Sequence, residues 1–283
     1  MNKNSTLSKI TVALGSVGLV TAAYLRWARP FQLRWGATDE EVQRPMPGDD
    51  LISNPEYLAT RAITIDATPE KIWPWLIQMG YKRAGFYGYD ILENLGSPRG
   101  IRSAKRIVPE FQHFKAGDEV PISPAGGLTF YAVEPGRYLV WKGGTGWGGY
   151  TWALYPIDEN RTRLVSRARF NHTWSKPSQL ALDLITEFTE HLAIPKILQG
   201  VKGRVEGQIE PMAKANTEVA IYLTTAFIYL GSVVLILLRP LTWRRGLSSL
   251  AAGAAWLISW YAPVTIWTKA ILGLPLRRAR NLH

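Results

Sequence analysis

The 283-residue chain keeps its charges apart from its apolar runs. All 22 acidic residues lie between Asp39 and Glu218, where 21 basic residues bring the net charge to −1. The other 12 basic residues sit in the flanks, 1–38 and 219–283, with no acid among them. The same flanks hold three long uncharged runs, residues 10–25, 219–238 and 246–268, of 16, 20 and 23 residues. Basic residues beside apolar spans are the mark of membrane insertion. The overall charge of +11 and pI ≈ 9.8 therefore do not point to nucleic acid, because the excess lies outside the balanced middle. Cysteine is absent, which excludes disulfides, thiolate zinc sites, iron–sulfur clusters and a cysteine nucleophile.

A bilayer core of roughly 30 Å needs about 20 helical residues. The second and third runs meet that length. Residues 239–245, Arg-Pro-Leu-Thr-Trp-Arg-Arg, read as the turn of a helical hairpin, and Pro263 as a kink or end of the third span. The first run reads in two ways. It is a short span whose Lys9 and Arg26 snorkel, or it is a secretory signal with Lys3 and Lys9 before an apolar stretch and Thr21-Ala22-Ala23 after it. The apolar and aromatic stretch continues through Tyr24, Leu25 and Trp27, which favours an uncleaved helix. Trp27, Phe31 and Trp35 among Arg26, Arg29 and Arg34 read as an interfacial belt.

With three spans, five Lys and Arg flank one side and eight the other, which puts the middle domain and the tail 269–283 on the cytoplasmic side of the plasma membrane. Removal of the first run as a signal reverses that orientation. Residues 36–59 read as a polar connector.

From Ala62 the pattern becomes that of a soluble domain. Ala62 to Ala67 alternates with period two and predicts a strand. Thr68, Pro69 and Glu70 open a helix carrying Ile72, Trp73, Leu76 and Ile77. A second short helix is expected over 89–95. Strands are expected at 107–108, 118–122, 128–133, 138–142, 150–155 and 163–170, spaced as in an antiparallel meander. Residues 178–212 predict a long helix with Leu180, Leu184, Phe188 and Leu192 on its apolar stripe and Pro195 as a kink. Gly200, Gly203 and Gly207 allow close backbone approach. The order gives an α+β architecture, an antiparallel sheet with a groove under a long helix.

Residues 63–76, Ile-Thr-Ile-Asp-Ala-Thr-Pro-Glu-Lys-Ile-Trp-Pro-Trp-Leu, resemble the opening of START-like, or SRPBCC, domains of the polyketide cyclase/dehydrase type. Trp152 to Pro156, Thr162 to Arg167 and Ile197 to Glu206 fit the same pattern. The resemblance spans residues 60–213. It implies the helix-grip fold, an antiparallel sheet wrapped on a long C-terminal helix around an apolar ligand cavity. Family members bind lipids, sterols or polyketides, and some are enzymes.

Residues 82–90 are expected near the cavity mouth, where Phe86, Tyr87 and Tyr89 supply aromatic surface and Arg83 receives an anion. Trp73, Phe130, Trp147 and Trp152 complete the expected lining. The Gly-rich segment 143–149 is no phosphate loop, since no Gly-Lys-Ser/Thr follows. Arg167 and Arg169 share one face of a strand. Facing inward they need Glu110, Asp118 or a ligand anion, and facing outward they are solvated. Asp90, Glu110 and His113 are the acid–base candidates if the domain is an enzyme, although no catalytic motif is evident. His113, His172 and His191 lack metal-ligand spacing, and neither a metal nor a cofactor is expected. Asn171-His172-Thr173 matches a glycosylation sequon. The leading expectation is membrane-anchored binding of a hydrophobic small molecule, a lipid or lipid-like metabolite. The alternatives are a cyclase or dehydratase on an apolar substrate and a non-catalytic module whose groove is filled.

Overall fold

The computed structural model describes residues 3–94, 100, 102–123, 126–144, 147–171 and 177–259. The chain forms two compact units: Phe31–Met212, and the described parts of Met1–Pro30 with Ala213–His283. In chain order, α1 (Lys3–Ala23) passes through a π-helical turn, Tyr24–Ala28, into α2 (Arg29–Leu33). A short α3 (Asp39–Gln43) follows, closed by a reciprocal cap between Thr38 and Glu41.

Next come β1 (Tyr57–Ile65), α4 (Pro69–Ile77) and α5 (Asp90–Glu93). Thr68 is extended and Pro69 opens α4, where its missing N–H costs nothing. The strands are β2 (Glu119–Ser123), β3 (Gly126–Glu134), β4 (Tyr138–Lys142), β5 (Gly148–Pro156) and β6 (Thr162–Phe170). They form one antiparallel sheet in the order β1-β6-β5-β4-β3-β2. Closing this order requires β1 to pair with β6, and their register runs from Tyr57↔Phe170 to Ile65↔Thr162. The long α6 (Pro177–Val205) packs on β1 and α4. Two helical segments after β1, a meander and a long last helix make the START-like helix-grip arrangement.

Several expected elements differ. Residues 107–108 form no strand and lead into a short 3-10 turn, Pro109–Phe111, because Pro109 cannot donate to a ladder. The last helix of the domain ends at Val205, not Met212. Gly207 takes a left-handed φ of +71°, and Gln208 donates its N–H back to the Gly203 carbonyl at 2.6 Å. The buried stripe of α6 is also not the leucine stripe. Leu184 is 40% exposed, whereas Glu187, Glu190, His191, Ile194, Leu198 and Val201 are buried. Leu180 lies where side-chain surroundings are not described, and His172 and Thr173 fall outside the described residues, as does Pro263.

Alternation sorts each strand into two faces. The inner face, under α4 and α6, carries Ile65, Leu128, Phe130, Leu139, Trp141, Trp152, Leu154 and Leu164, which pack with Ile72, Leu76, Ile194, Ile197 and Leu198. The outer face is not left to water. Of residues 36–59, expected as a polar connector, 57–59 belong to β1 and 36–56 lie across the outer face as a strap. Met46 packs with Ala62, Ala153 and Val165, and Thr151 Oγ1 donates to the Pro47 carbonyl at 2.6 Å.

The second unit is helical: α1, α7 (Met212–Leu238) and α8 (Trp243–Ser259). Two helices, Thr6–Leu33 and Met212–Leu238, are long and apolar enough to cross a membrane. Inside this unit Ser16 and Ser249 hydroxyls meet at 2.9 Å, Ser232 donates to Ser249 at 3.0 Å, and Gly253 lies against Val20 and Tyr229. Leu7, Leu14, Leu19, Phe227, Ile228 and Leu238 face outward.

Candidate functional site

The inner face of the sheet carries a continuous aromatic wall. Phe114 stacks on Phe130 at 4.4 Å between ring centroids, and Phe130 meets Trp141 edge-on at 6.5 Å. Trp141 touches Trp152 at 5.6 Å and Tyr150 at 6.4 Å. Tyr150 meets Phe170 at 5.0 Å, and Phe170 lies between Tyr57 at 5.6 Å and Trp147 at 4.6 Å. Residues two apart on β5 and opposite one another on β4 and β5 generate this wall directly from the register Trp141↔Tyr150.

One end of the wall is polar. β1 alternates Tyr57, Ala59, Arg61, Ile63 and Ile65 toward the interior, so Arg61 enters an otherwise apolar face and is only 1% exposed. Its Nε donates to the Gln32 carbonyl at 2.8 Å, and NH2 donates to the Tyr57 hydroxyl at 3.0 Å. The same NH2 lies 3.1 Å from His191 Nδ1. Glu190 Oε2 stands 3.7 Å from Arg61 NH1, and His191 Nε2 stands 3.5 Å from Glu187. The Tyr150 hydroxyl donates to Glu190 Oε1.

Burial pushes the Glu190 carboxyl above its usual range, against the pull of Arg61 and of the Tyr150 hydrogen bond. Burial likewise raises the Tyr150 phenol, reinforced by Glu190, and pushes Tyr57 up to about 12. Three buried polar atoms in this interior have no hydrogen-bond partner: the indole Nε1 of Trp141, that of Trp152, and Glu190 Oε2.

The expected mouth segment folds back on α6. Tyr87 holds a left-handed φ of +67° over Gly200, where a Cβ would come within 2.0 Å of the Tyr87 carbonyl oxygen. The Tyr87 hydroxyl accepts from Gln78 at 2.8 Å and donates to the Trp75 carbonyl at 3.0 Å. Phe86 lies edge-on to Trp141 at 6.4 Å. The backbone N–H groups of Phe86 and Gly88 donate to Glu93 at 3.0 and 3.1 Å. Burial raises the Glu93 carboxyl to about 7.

Phe130, Trp152, Trp141 and Tyr87 are thus interior. Trp73, Phe86 and Trp147 pack partly buried against the same core, and Tyr89 lies under the Lys196 ammonium at 5.2 Å. Arg83 donates to the carbonyls of Ile77 and Phe111, both at 3.1 Å, which makes it a brace between backbone segments rather than an open anion receiver.

Arg167 and Arg169 face outward but are not solvated. Arg169 donates to the carbonyls of Ile52 and Ser53 and to Asp49, contacts that tie it to the strap on the outer face. Arg167, 3% exposed, donates to Thr60, Asp49 and the carbonyls of Arg44, Glu41 and Val42. Of the acid–base candidates, Glu110 and His113 are exposed, and Asp90 accepts from Ser103 Oγ at 2.6 Å beside α5. None of the three belongs to the polar cluster. Of the cluster residues, Arg61, Glu187 and Glu190 were not singled out from the sequence, and His191 was named only as a histidine without metal-ligand spacing. Their signal was an arginine on the inward parity of β1 and three polar residues at i, i+3, i+4 on α6. Among the described residues no group of His, Asp and Glu is arranged to hold a metal ion.

No family model matches the chain, and no curated protein matches it. Solved structures do resemble it in fold. A polyketide-cyclase-like protein from Corynebacterium glutamicum is 15% identical, with 54% of this chain and 93% of that one covered and a TM-score of 0.35. A self-sacrificing resistance protein from Micromonospora echinospora is 13% identical, over 55% and 97%, with a TM-score of 0.31. A START superfamily protein from Mycobacterium smegmatis is 15% identical, over 53% and 97%, with a TM-score of 0.28. The likeness is one of fold alone.

Proposed function

We propose that the START-like domain binds a largely apolar small molecule that carries one neutral oxygen function, and that apolar helices at both ends of the chain hold the domain at a membrane. The observation that carries this reading is the set of partnerless polar atoms in the aromatic interior, Trp141 Nε1, Trp152 Nε1 and Glu190 Oε2. A core complete in itself leaves few such groups, because each costs about 1–3 kcal/mol of lost hydration. An indole N–H asks for an acceptor and a carboxylate oxygen for a donor, and a hydroxyl is both. An oxygen about 2.8 Å from both Glu190 Oε2 and Arg61 NH1 satisfies hydrogen-bond geometry across their 3.7 Å separation. The aromatic wall then receives the apolar body.

Membrane anchorage rests on the two long apolar helices and on the construction of the helical unit, where Ser16, Ser249 and Gly253 face inward and many leucines, with Phe227 and Ile228, outward. The chain then reads as an N-terminal span, a domain over 60–213, a hairpin over 219–268 and a basic tail. The Lys and Arg count favours the cytoplasmic side for the domain, with the plasma membrane as the proposed location. A tethered pocket meets a membrane-partitioned ligand at high local concentration.

The test is native mass spectrometry and solvent extraction of the full chain purified in detergent. One apolar, oxygen-bearing species near stoichiometric amount is expected, reduced on the order of 30-fold in the double variant Trp141→Phe/Trp152→Phe, at about 1 kcal/mol per lost hydrogen bond. A wild-type protein that carries nothing and gains no thermal stability from a total lipid extract ends the reading.

A further inference from the structure

Among the described Lys and Arg residues between positions 31 and 212, ten form ion pairs and nine do not. Six of those nine gather in one place: Lys82, Arg83, Arg102, Lys105, Arg106 and Arg204.

The chain brings them together through backbone contacts. The Ala104 N–H donates to the Ala84 carbonyl at 2.8 Å, so residues 82–85 and 102–106 run side by side. The Arg204 Nε donates to the Ala104 carbonyl at 2.7 Å from below, on α6. Lys82, Arg102, Lys105 and Arg106 are exposed. Arg83 and Arg204 are held only by backbone carbonyls and by the rings of Phe111 and Tyr87. Two acids beside the patch are engaged elsewhere. Asp90 accepts from Ser103, and Glu93 accepts from the Phe86 and Gly88 N–H groups. Lys82 also occupies a left-handed φ of +57°, where a glycine sits without strain. Cations matched almost everywhere else on the domain are here left unmatched, at the segment that flanks Phe86 and Tyr87.

We propose that this patch docks onto the anionic headgroups of a lipid bilayer, and so turns the mouth segment of the domain toward the membrane from which its ligand comes. The occupant follows from charge complementarity together with the apolar helices of the same chain, and the proposal rests on the membrane reading above. Exposed cations near an anionic surface each strengthen association by roughly five-fold, an attraction that salt removes. Four exposed ones gather here, none of them in an ion pair.

The experiment uses the full chain in nanodiscs of phosphatidylcholine alone and of phosphatidylcholine with phosphatidylglycerol, read by hydrogen exchange of peptides covering 80–85 and 102–106. Exchange slowed ten-fold or more by phosphatidylglycerol is expected, lost in 0.5 M salt and in the variant Lys105→Glu/Arg106→Glu. Circular dichroism and thermal unfolding of that variant, matched to wild type, show that it folds. Equal exchange in the two nanodiscs overturns the proposal. Protection in phosphatidylcholine nanodiscs on addition of free glycerol phosphate also overturns it, in favour of a soluble-anion site. Retention of the chain in carbonate-washed membranes is scored separately, so that failure of the tether is distinguished from failure of the patch.

Discussion

Arg167→Met tests the strap over the outer sheet face. The wild-type guanidinium uses all five of its N–H donors: Nε to Thr60 at 3.0 Å, NH1 to the Arg44 carbonyl at 2.8 Å and Asp49 at 2.9 Å, NH2 to the Glu41 and Val42 carbonyls at 2.7 and 3.0 Å. Methionine keeps the aliphatic stem and removes every donor. The charged bond to Asp49 contributes about 1.5–3 kcal/mol, and each carbonyl left buried without a donor costs about 1–3 kcal/mol. That total is not reached, because the strap lifts and water takes over the carbonyls, which holds the net loss to about 3–5 kcal/mol. For a domain of this size that lowers the melting temperature by on the order of 10 °C. Lysine keeps the charge but not the planar fork, so Arg167→Lys should lose nearly as much. The assay is thermal unfolding of the full chain with limited proteolysis read by mass spectrometry, with early cleavage expected within 36–56. A lysine variant within 2 °C of wild type, or first cleavage inside the sheet, refutes the reasoning.

Three further outcomes follow. Gly200→Ala should destabilise, since its Cβ meets the Tyr87 carbonyl oxygen at 2.0 Å, whereas Gly231→Ala, with nothing within 4 Å, should gain up to about 1 kcal/mol; opposite signs in paired melts are the check. The Glu93 carboxyl, raised to about 7 from 4.5 chiefly by burial and also by Asp90, binds its proton more tightly folded than unfolded. Its contribution is therefore fully present below pH 4.5 and lost as pH rises through 7, and Glu93→Gln should flatten the stability slope across that window. Glu110→Gln and His113→Asn, both at exposed positions, should change neither stability nor the amount of bound molecule, as measured by melting and extraction.

Local rules made much of the scaffold legible. Alternation and Pro/Gly punctuation located β2 to β6 to within about two residues, and Thr68-Pro69 located the start of α4. Local rules did not reveal what covers each face. Arg167 and Arg169 on one strand face read as solvated or as ligand-facing, yet their strap partners, like those of Arg163 on the same face, lie more than 110 residues upstream, in 36–56. Glu41 shows the result: burial alone would raise its carboxyl, but hydrogen bonds from Arg163 and Thr38 bring it below its usual value. The only sequence sign was complementarity between these arginines and the acids Asp39, Glu40, Glu41, Asp49 and Asp50.

The polar cluster was hidden for a similar reason. Helical periodicity in α6 favoured the leucine stripe, but the pairing of Arg61 with Glu190 and His191 turns the adjacent face inward. A hydrophobic stripe loses to a buried charge that must find partners. The aromatics Phe130 and Trp152 were readable as interior because they sit on inward parity. Trp141 shares that parity and packs in the same wall.

The most direct test of the central claim is the indole 15N–1H spectrum of the full chain in micelles, with Trp141→Phe and Trp152→Phe used for assignment. The protein is stripped of apolar molecules and then reloaded with the extracted lipid. The account predicts that the Trp141 and Trp152 indole resonances move downfield on loading, as each N–H gains an acceptor, while surface indoles such as Trp243 stay in place. Two indole signals that are indifferent to stripping and reloading would contradict it.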